Sequence, residues 1–209
     1  MLNVKIFIFI FVHCVACCCN AIGDTNVIAQ GEWSEPVSND YGKALRGRLL
    51  LCSYPDHRGG PTNREDVAVY LELQEYSDAG AGTLCVYCDF AKGLKLQVAD
   101  SAQKPPEPVG IGFSGGEPTP QWVLLPTYSS VRLRTTVFGG GKLREGGLGL
   151  WFPNGGGWTI KSTDTNTYFL SGTFSTIAPM TNTNRFEHTQ VWNGTLKLPK
   201  IELPKFNRP

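Results

Sequence analysis

Apolar and polar residues alternate at a spacing of two wherever this sequence is regular, and no other feature restricts the fold so strongly. In the segment DVAVYLELQEY, the valines and leucines at positions 67, 69, 71 and 73 fall on one side of an extended chain, whereas Tyr70, Glu72 and Gln74 fall on the other. Side chains of a β-strand point alternately to its two faces, so this pattern indicates a strand with one buried face. No window of helical length carries a comparable apolar stripe.

Similar alternating segments recur along the chain and predict an all-β protein. They are separated by stretches rich in glycine and proline, which interrupt regular structure. A sheet with one apolar face must bury that face against another sheet, so we predict an immunoglobulin-like β-sandwich of about eight to nine antiparallel strands with long Gly/Pro-rich loops. The further strands are predicted at 45–51, 83–90, 94–98, 121–125, 131–137, 148–152, 168–177 and 191–198.

The first residues predict export from the cytoplasm. An apolar run begins after Lys5 and ends at about Cys19, which is too short for a membrane-spanning helix, so we interpret residues 1–23 as a signal peptide. The alternatives are lipidation at Cys17 and a retained anchor. We therefore expect a secreted or envelope protein, in contact with a membrane only if it carries a lipid anchor.

The mature chain is long enough for one domain with a full hydrophobic core. A formal net charge of +1, from 19 basic and 18 acidic residues, argues against a nucleic-acid partner, which needs a concentrated basic surface. No cofactor is predicted. We divide the chain into a lead-in, a sandwich domain and an extended tail with a repeated Leu-Pro-Lys motif, at residues 24–43, 44–198 and 199–209.

Two enzyme motifs overlap in the stretch PEPVGIGFSGGEPTP at residues 106–120. Its glycines match the G-x-G-x-x-G dinucleotide fingerprint, and Ser114 lies in a G-x-S-x-G motif, followed along the chain by Asp164 and His188. Both motifs need a strand, a tight turn and a helix, whereas prolines flank this stretch on both sides. We interpret the stretch as a loop and predict no catalytic residue. A hydrolase that uses Ser114 is the third alternative for the function.

Three cysteines follow the signal segment: Cys52, Cys85 and Cys88. On a regular strand the thiols of Cys85 and Cys88 point to opposite faces, so they can neither bond each other nor share a metal without a bulge. Three interpretations stay open: buried or free thiols, a disulfide that joins Cys52 to Cys85 or Cys88, and a zinc site that adds His57. We prefer the first interpretation and predict no metal.

Four aromatic residues are candidate ligand contacts. Trp151 and Trp158 flank a glycine-rich turn, and Trp122 and Tyr128 flank the segment VLLPT. A wide aromatic ring beside flexible glycines can serve as a platform for a sugar ring or as an anchor for a protein partner. The alternative is that these rings belong to the core or hold loops in place.

Four arginines fall on the polar side of two predicted strands: Arg46, Arg48, Arg132 and Arg134. They could form a basic strip for an anionic polysaccharide or a phosphorylated envelope component. The alternative, which we prefer, is a solvated face on which they pair with acids such as Glu72 across the strands.

The strand–turn–strand pattern of VAVYLELQEYSDAG followed by LKLQVADSAQKP resembles uncharacterised secreted immunoglobulin-like proteins of bacterial envelopes. It is similar, more loosely, to the sandwich of the intracellular proteinase inhibitor family. The resemblance covers about residues 44–104 and implies a fold without assigning a functional residue. We expect a non-enzymatic domain that binds a protein or glycan of the envelope or extracellular space through loops near 110–121 and 139–157. The alternative is a protease-inhibitor-like domain.

Overall fold

The computed structural model describes residues 26–55, 65–77, 82–108, 119–136, 141–144, 147–152, 156–176 and 186–205. The expected signal peptide, His57 and Ser114 lie outside these ranges, together with most of the predicted loop at 110–121 and parts of the loop at 139–157. The described helical elements are one turn of α-helix, α1 (Phe90–Gly93), and a 3-10 turn at His188–Gln190. The described strands are β1 (Asn26–Gln30), β2 (Val37–Ser38), β3 (Ala44–Pro55), β4 (Glu65–Glu75), β5 (Leu84–Cys88), β6 (Leu94–Asp100), β7 (Glu107–Pro108), β8 (Gln121–Leu125), β9 (Ser130–Arg134), β10 (Gly141–Arg144), β11 (Gly147–Trp151), β12 (Gly157–Lys161), β13 (Tyr168–Thr176), β14 (Val191–Trp192) and β15 (Gly194–Glu202).

The long strands β3 and β4 form the centre of the largest sheet. They pair antiparallel along their whole length, beginning with Leu45 opposite Glu75. β1 and β2 pair with the other edge of β3, and β9 pairs with β4. β10 joins β4 at Lys142 opposite Asp66 and continues the sheet through β11, β12 and β7. β4 therefore has neighbours on both sides, and its backbone groups are largely used within the sheet.

Two smaller sheets lie on the other side of the core. One has the order β15-β13-β6 and is antiparallel; the other has the order β14-β5-β8, in which β14 and β5 pair in parallel. The chain passes from the second of these sheets to the first through α1, which separates β5 from β6. Asp89 caps α1 because its side chain accepts a hydrogen bond from the backbone N–H of Lys92. The same change of sheet occurs at Asn193, between β14 and β15.

The hydrophobic core lies between the large sheet and the two smaller ones. The odd-numbered apolar residues of β3 and β4 face it, as the alternation predicts. The sheets approach closely at Gly47, where an added side chain would meet Leu196 and Leu198 of β15. Phe174 and Trp192 stack in the centre with ring centroids 6.4 Å apart. The all-β prediction is confirmed: the described chain consists mainly of antiparallel sheets packed in layers and not closed into a barrel.

Strands extend beyond the two ends predicted for the sandwich at residues 44 and 198. β1 and β2 lie within the expected lead-in and pair with β3. β15 continues through Pro199 to Glu202, within the segment expected to be an extended tail. The proline is accommodated because the register with β13 shifts between Leu198 and Ile201, so the ladder is already irregular there. Burial of Ile201 in the core keeps this part of the chain in the fold.

Candidate functional site

The even-numbered residues of β3 and β4 form a second face of the large sheet, on the side away from the core. The register places Arg46 opposite Gln74, and it places Arg48 opposite Glu72. On the other side of β4, Glu72 lies opposite Arg132 of β9. Paired residues of antiparallel strands point to the same face, so the register brings these side chains together. We name this group the arginine face, which consists of Trp33, Arg46, Arg48, Glu72, Gln74, Tyr76 and Arg132.

Glu72 holds two arginines of this face in place. Its Oε2 accepts a hydrogen bond from Arg48 Nε at 2.6 Å, and its Oε1 accepts one from Arg132 Nε at 2.9 Å. The Glu72 side chain is only 6% exposed, whereas that of Arg132 is 47% exposed. A carboxylate removed from water needs such charge-assisted hydrogen bonds to offset its desolvation. The predicted cross-strand pairing with Glu72 is confirmed, but the carboxylate at its centre is buried and not solvated.

Arg46 is held by two aromatic rings and an amide. Its guanidinium carbon lies 3.9 Å from the ring centroid of Tyr76 and 4.8 Å from that of Trp33, and the guanidinium carbon of Arg48 lies 4.2 Å from the same Trp33 ring. Arg46 Nε also donates to Gln74 Oε1 at 2.8 Å. Within the described part of the chain, no carboxylate lies at ion-pair distance from Arg46. Cation–π attraction therefore fixes this guanidinium without neutralising its charge.

The arginine face has more positive charge than its one carboxylate balances. Arg48 and Arg132 each donate Nε to Glu72, and Arg46 donates Nε to the neutral amide of Gln74. The donors of a guanidinium form a planar fork that matches a carboxylate or phosphate group. The arrangement is therefore suited to binding an anion.

Toward the start of β4, before Glu72, the side chains on the same side of the sheet are mostly apolar and buried. Arg134, the fourth predicted arginine, lies there opposite Tyr70, and its Nε is 3.5 Å from Thr136 Oγ1. The sequence predicts one buried face for β3 and β4, but at this end both faces are buried. The cluster on the second face consists of Leu50, Cys52, Ala68 and Tyr70.

The three thiols lie in three separate hydrophobic clusters and are all free. Cys88 belongs to the main core, Cys52 to the cluster on the second face, and Cys85 to a small cluster with Val191. The opposite directions predicted for Cys85 and Cys88 are confirmed. Burial raises the pKa of all three thiols, that of Cys88 to about 12, which disfavours the reactive thiolate. No group of three or more metal-ligating side chains occurs among the described residues, from which His57 is missing.

Trp151 and Trp158 lie on adjacent strands but do not share one surface. Trp158 pairs with Leu150 and Trp151 pairs with Gly157. These are neighbouring positions of the hairpin, so the two rings point to its opposite faces. Trp158 packs on the core, with its ring centroid 5.5 Å from that of Phe152. Trp151 lies so close over Gly157 that any side chain there would collide with its ring. The two tryptophans therefore do not form a joint platform.

Trp122 and Tyr128 lie at the two ends of the segment formed by β8 and the turn that follows it. Trp122 packs in an aromatic cluster, with ring centroids 5.3 Å from Tyr87 and 5.0 Å from Phe186. Tyr128 is 66% exposed, and its backbone N–H donates to Glu75 Oε2 at 2.8 Å. Since Glu75 ends β4, Tyr128 lies at the end of the sheet that carries the arginine face. Tyr128 is the most exposed of the four predicted aromatic contacts.

Two residues of the arginine face, Trp33 and Tyr76, are not among the candidate site residues that the sequence predicts. Alternation along β4 places Tyr76 on the same side as Glu72, and this signal could have identified it. Trp33 lies in an irregular segment between β1 and β2, and nothing in the local sequence relates it to Arg46. Its position depends on the pairing of β1 and β2 with β3.

The described contacts of Asp164 are local. Its carboxylate accepts hydrogen bonds from the Asn166 backbone N–H at 2.9 Å and from the Tyr168 hydroxyl at 2.7 Å, and these two bonds lower its pKa. Asp164 and Tyr168 line a cavity of about 20 Å³, which has room for a single water molecule. Ser114 and the side chain of His188 lie outside the described residues, so the proposed hydrolase arrangement stays a prediction.

No family model, no curated protein and no solved structure matches this chain. Among the residues that the structure describes, no helix combines the length and the apolar character needed to cross a membrane. Functional inference therefore depends on the geometry of the arginine face.

Proposed function

We propose that this protein is an exported, non-enzymatic binding domain with an immunoglobulin-like sandwich fold, and that the arginine face binds its ligand. The observation that carries the proposal is a group of three guanidiniums on one sheet face, of which two contact a single buried carboxylate and the third donates to the Gln74 amide. Glu72 balances the charge of one arginine, and Arg46 lies at ion-pair distance from no described acid. The face therefore has a surplus of positive charge, which an anionic ligand would use.

The fixed positions of the arginines support a binding role. Arg48 lies between the carboxylate of Glu72 and the ring of Trp33, and Arg46 contacts two rings and an amide. Long side chains usually lose considerable rotamer entropy when a ligand immobilises them. Because the fold already immobilises these two, a ligand would lose less affinity in ordering them. Preorganised guanidiniums are thus favourable for recognition.

The proposed location is the envelope or the extracellular space. The apolar run after Lys5 supports export, with lipidation at Cys17 as the alternative route to the envelope. Free thiols are unusual in oxidising compartments, but Cys52, Cys85 and Cys88 are buried and so are protected from oxidation. The facing layers of mainly antiparallel strands support the immunoglobulin-like part of the proposal.

The test is retention of the full chain on envelope material isolated from the source cells. We expect retention to fall strongly in the double variant Arg46→Gln/Arg132→Gln, because two of the three guanidiniums are lost. The matched control is Lys95→Gln/Lys197→Gln, which removes equal charge from the smaller sheet, where both lysines flank Thr173. Equal retention of all three proteins, each shown to be folded by circular dichroism, would remove the arginine face from the proposal.

A further inference from the structure

We infer that the ligand of the arginine face is an acidic polysaccharide, a polymer that carries carboxylates on its sugar rings. The inference rests on the binding function proposed above and specifies the chemical class of the ligand. Its basis is the combination on one sheet face of guanidinium forks, an exposed aromatic ring and a backbone that is already paired.

The cations form one continuous group on the sheet face. Arg48 and Arg132 come from β3 and β9 but donate to the two oxygens of the same Glu72 carboxylate. Arg46 and Arg48 contact the same Trp33 ring. Several guanidiniums side by side suit a polymer that carries a carboxylate on each ring, because neighbouring carboxylates can use neighbouring guanidiniums.

The aromatic component favours a sugar over a simple anion. Tyr76 is 42% exposed although Arg46 lies 3.9 Å from its ring centroid, so part of the ring is open to solvent beside a cation. A uronate ring has an apolar C–H surface and a carboxylate on the same unit. The first can pack on an aromatic ring while the second accepts from the neighbouring guanidinium.

The position of the site within the sheet disfavours an acidic peptide. Peptides that bind sheets commonly add a strand to an unpaired edge, where their backbone gains hydrogen bonds. Glu72 and Gln74 of β4 are paired with β3 on one side and with β9 on the other, so no strand can be added at the centre of the arginine face. β9, which carries Arg132, has β4 as its one described neighbour, so a peptide strand could be added only at that margin. Recognition at the centre of the face must come from side chains alone. A polysaccharide is recognised in this way because it has no peptide backbone to pair.

The experiment is a calorimetric titration of the full chain with oligogalacturonate at low and at moderate salt. We expect binding that weakens with salt and that falls at least about tenfold in Arg46→Gln/Arg132→Gln. The variant Arg46→Lys/Arg132→Lys keeps the charge but loses the fork, and we expect it to bind several-fold more weakly than the unaltered protein. The control Lys95→Gln/Lys197→Gln should stay within about twofold of the unaltered protein, because its lysines lie on a different sheet.

Three further probes separate the alternatives. Methyl-esterified oligogalacturonate, which lacks the charge, should not bind, and equal binding would overturn the role of the carboxylate. Polyglutamate should bind more weakly than oligogalacturonate; equal or tighter binding would assign the site to acidic peptides and refute the inference. Inorganic phosphate should compete only at high concentration, and strong competition would indicate a phosphate site. If envelope retention depends on the arginine face but oligogalacturonate does not bind, the ligand class is wrong and the binding function stands.

Discussion

Replacement of Glu72 by Gln should destabilise the fold far more than its effect on net charge suggests. The carboxylate accepts from Arg48 at 2.6 Å and from Arg132 at 2.9 Å, and its side chain is 6% exposed. Glutamine offers one carbonyl oxygen and one NH2 group, so at most one of these bonds persists, and the NH2 group then faces a guanidinium. Loss of a hydrogen bond to a charged group, with Arg48 left only 16% exposed beside it, predicts a cost of about 2–4 kcal/mol.

The measurement is the free energy of unfolding from urea titration of Glu72→Gln. The control is Glu107→Gln, which removes a carboxylate from an ion pair of the same length, 2.6 Å to Lys161, but with both side chains about 60% exposed. Exposed pairs contribute at most about 1 kcal/mol, so this variant should stay close to the unaltered protein. A Glu72→Gln variant no less stable than the control would refute the view that the buried carboxylate organises this face.

Two further predictions concern the core. Because burial raises the Cys88 thiol pKa from 9.0 to about 12, its contribution to stability is complete below pH 9 and is lost as the pH rises toward 12. Cys88→Val should therefore lose less stability than the unaltered protein between pH 9 and about 10.5, as measured by urea unfolding; parallel losses in both proteins would contradict this. Trp192 is fully buried and its Nε1 donates to the Val37 carbonyl at 2.8 Å. Trp192→Phe should lower the free energy of unfolding by about 2–4 kcal/mol, and a change below about 0.5 kcal/mol would show that this bond and the ring volume contribute little.

Local alternation was enough to predict the long strands and the pairing of arginines with Glu72, but it missed β1, β2, β7, β10 and β12, of which β10 lies within the predicted loop at 139–157. Successive side chains of a strand point to opposite faces, so the odd-numbered residues of β4 could be assigned to the core and Glu72 to the other side. Arg48 and Arg132 then follow because adjacent strands present like-sided residues to each other. The burial of that second face could not be predicted in the same way, since it depends on contacts that only the packed chain makes.

The aromatic residues show where sequence reasoning reached its limit. Trp151 and Trp158 flank one glycine-rich turn and are both predicted ligand contacts, but the hairpin register places them on opposite faces. Trp33 belongs to no motif of the sequence, yet its ring contacts two arginines because β1 and β2 pair with β3. Register and strand order connect distant residues, so neither can be read from the spacing within one segment.

The sequence by itself determined the fold class, because side-chain alternation is a property of consecutive residues and needs no knowledge of the partner strand. It also determined the opposite directions of Cys85 and Cys88 by the same rule. Only the tertiary structure decided which faces are buried, which rings meet which guanidiniums, and that Glu72 lies buried between two of them. The reason is physical: cross-strand contacts and desolvation arise only when segments far apart in the chain are packed together.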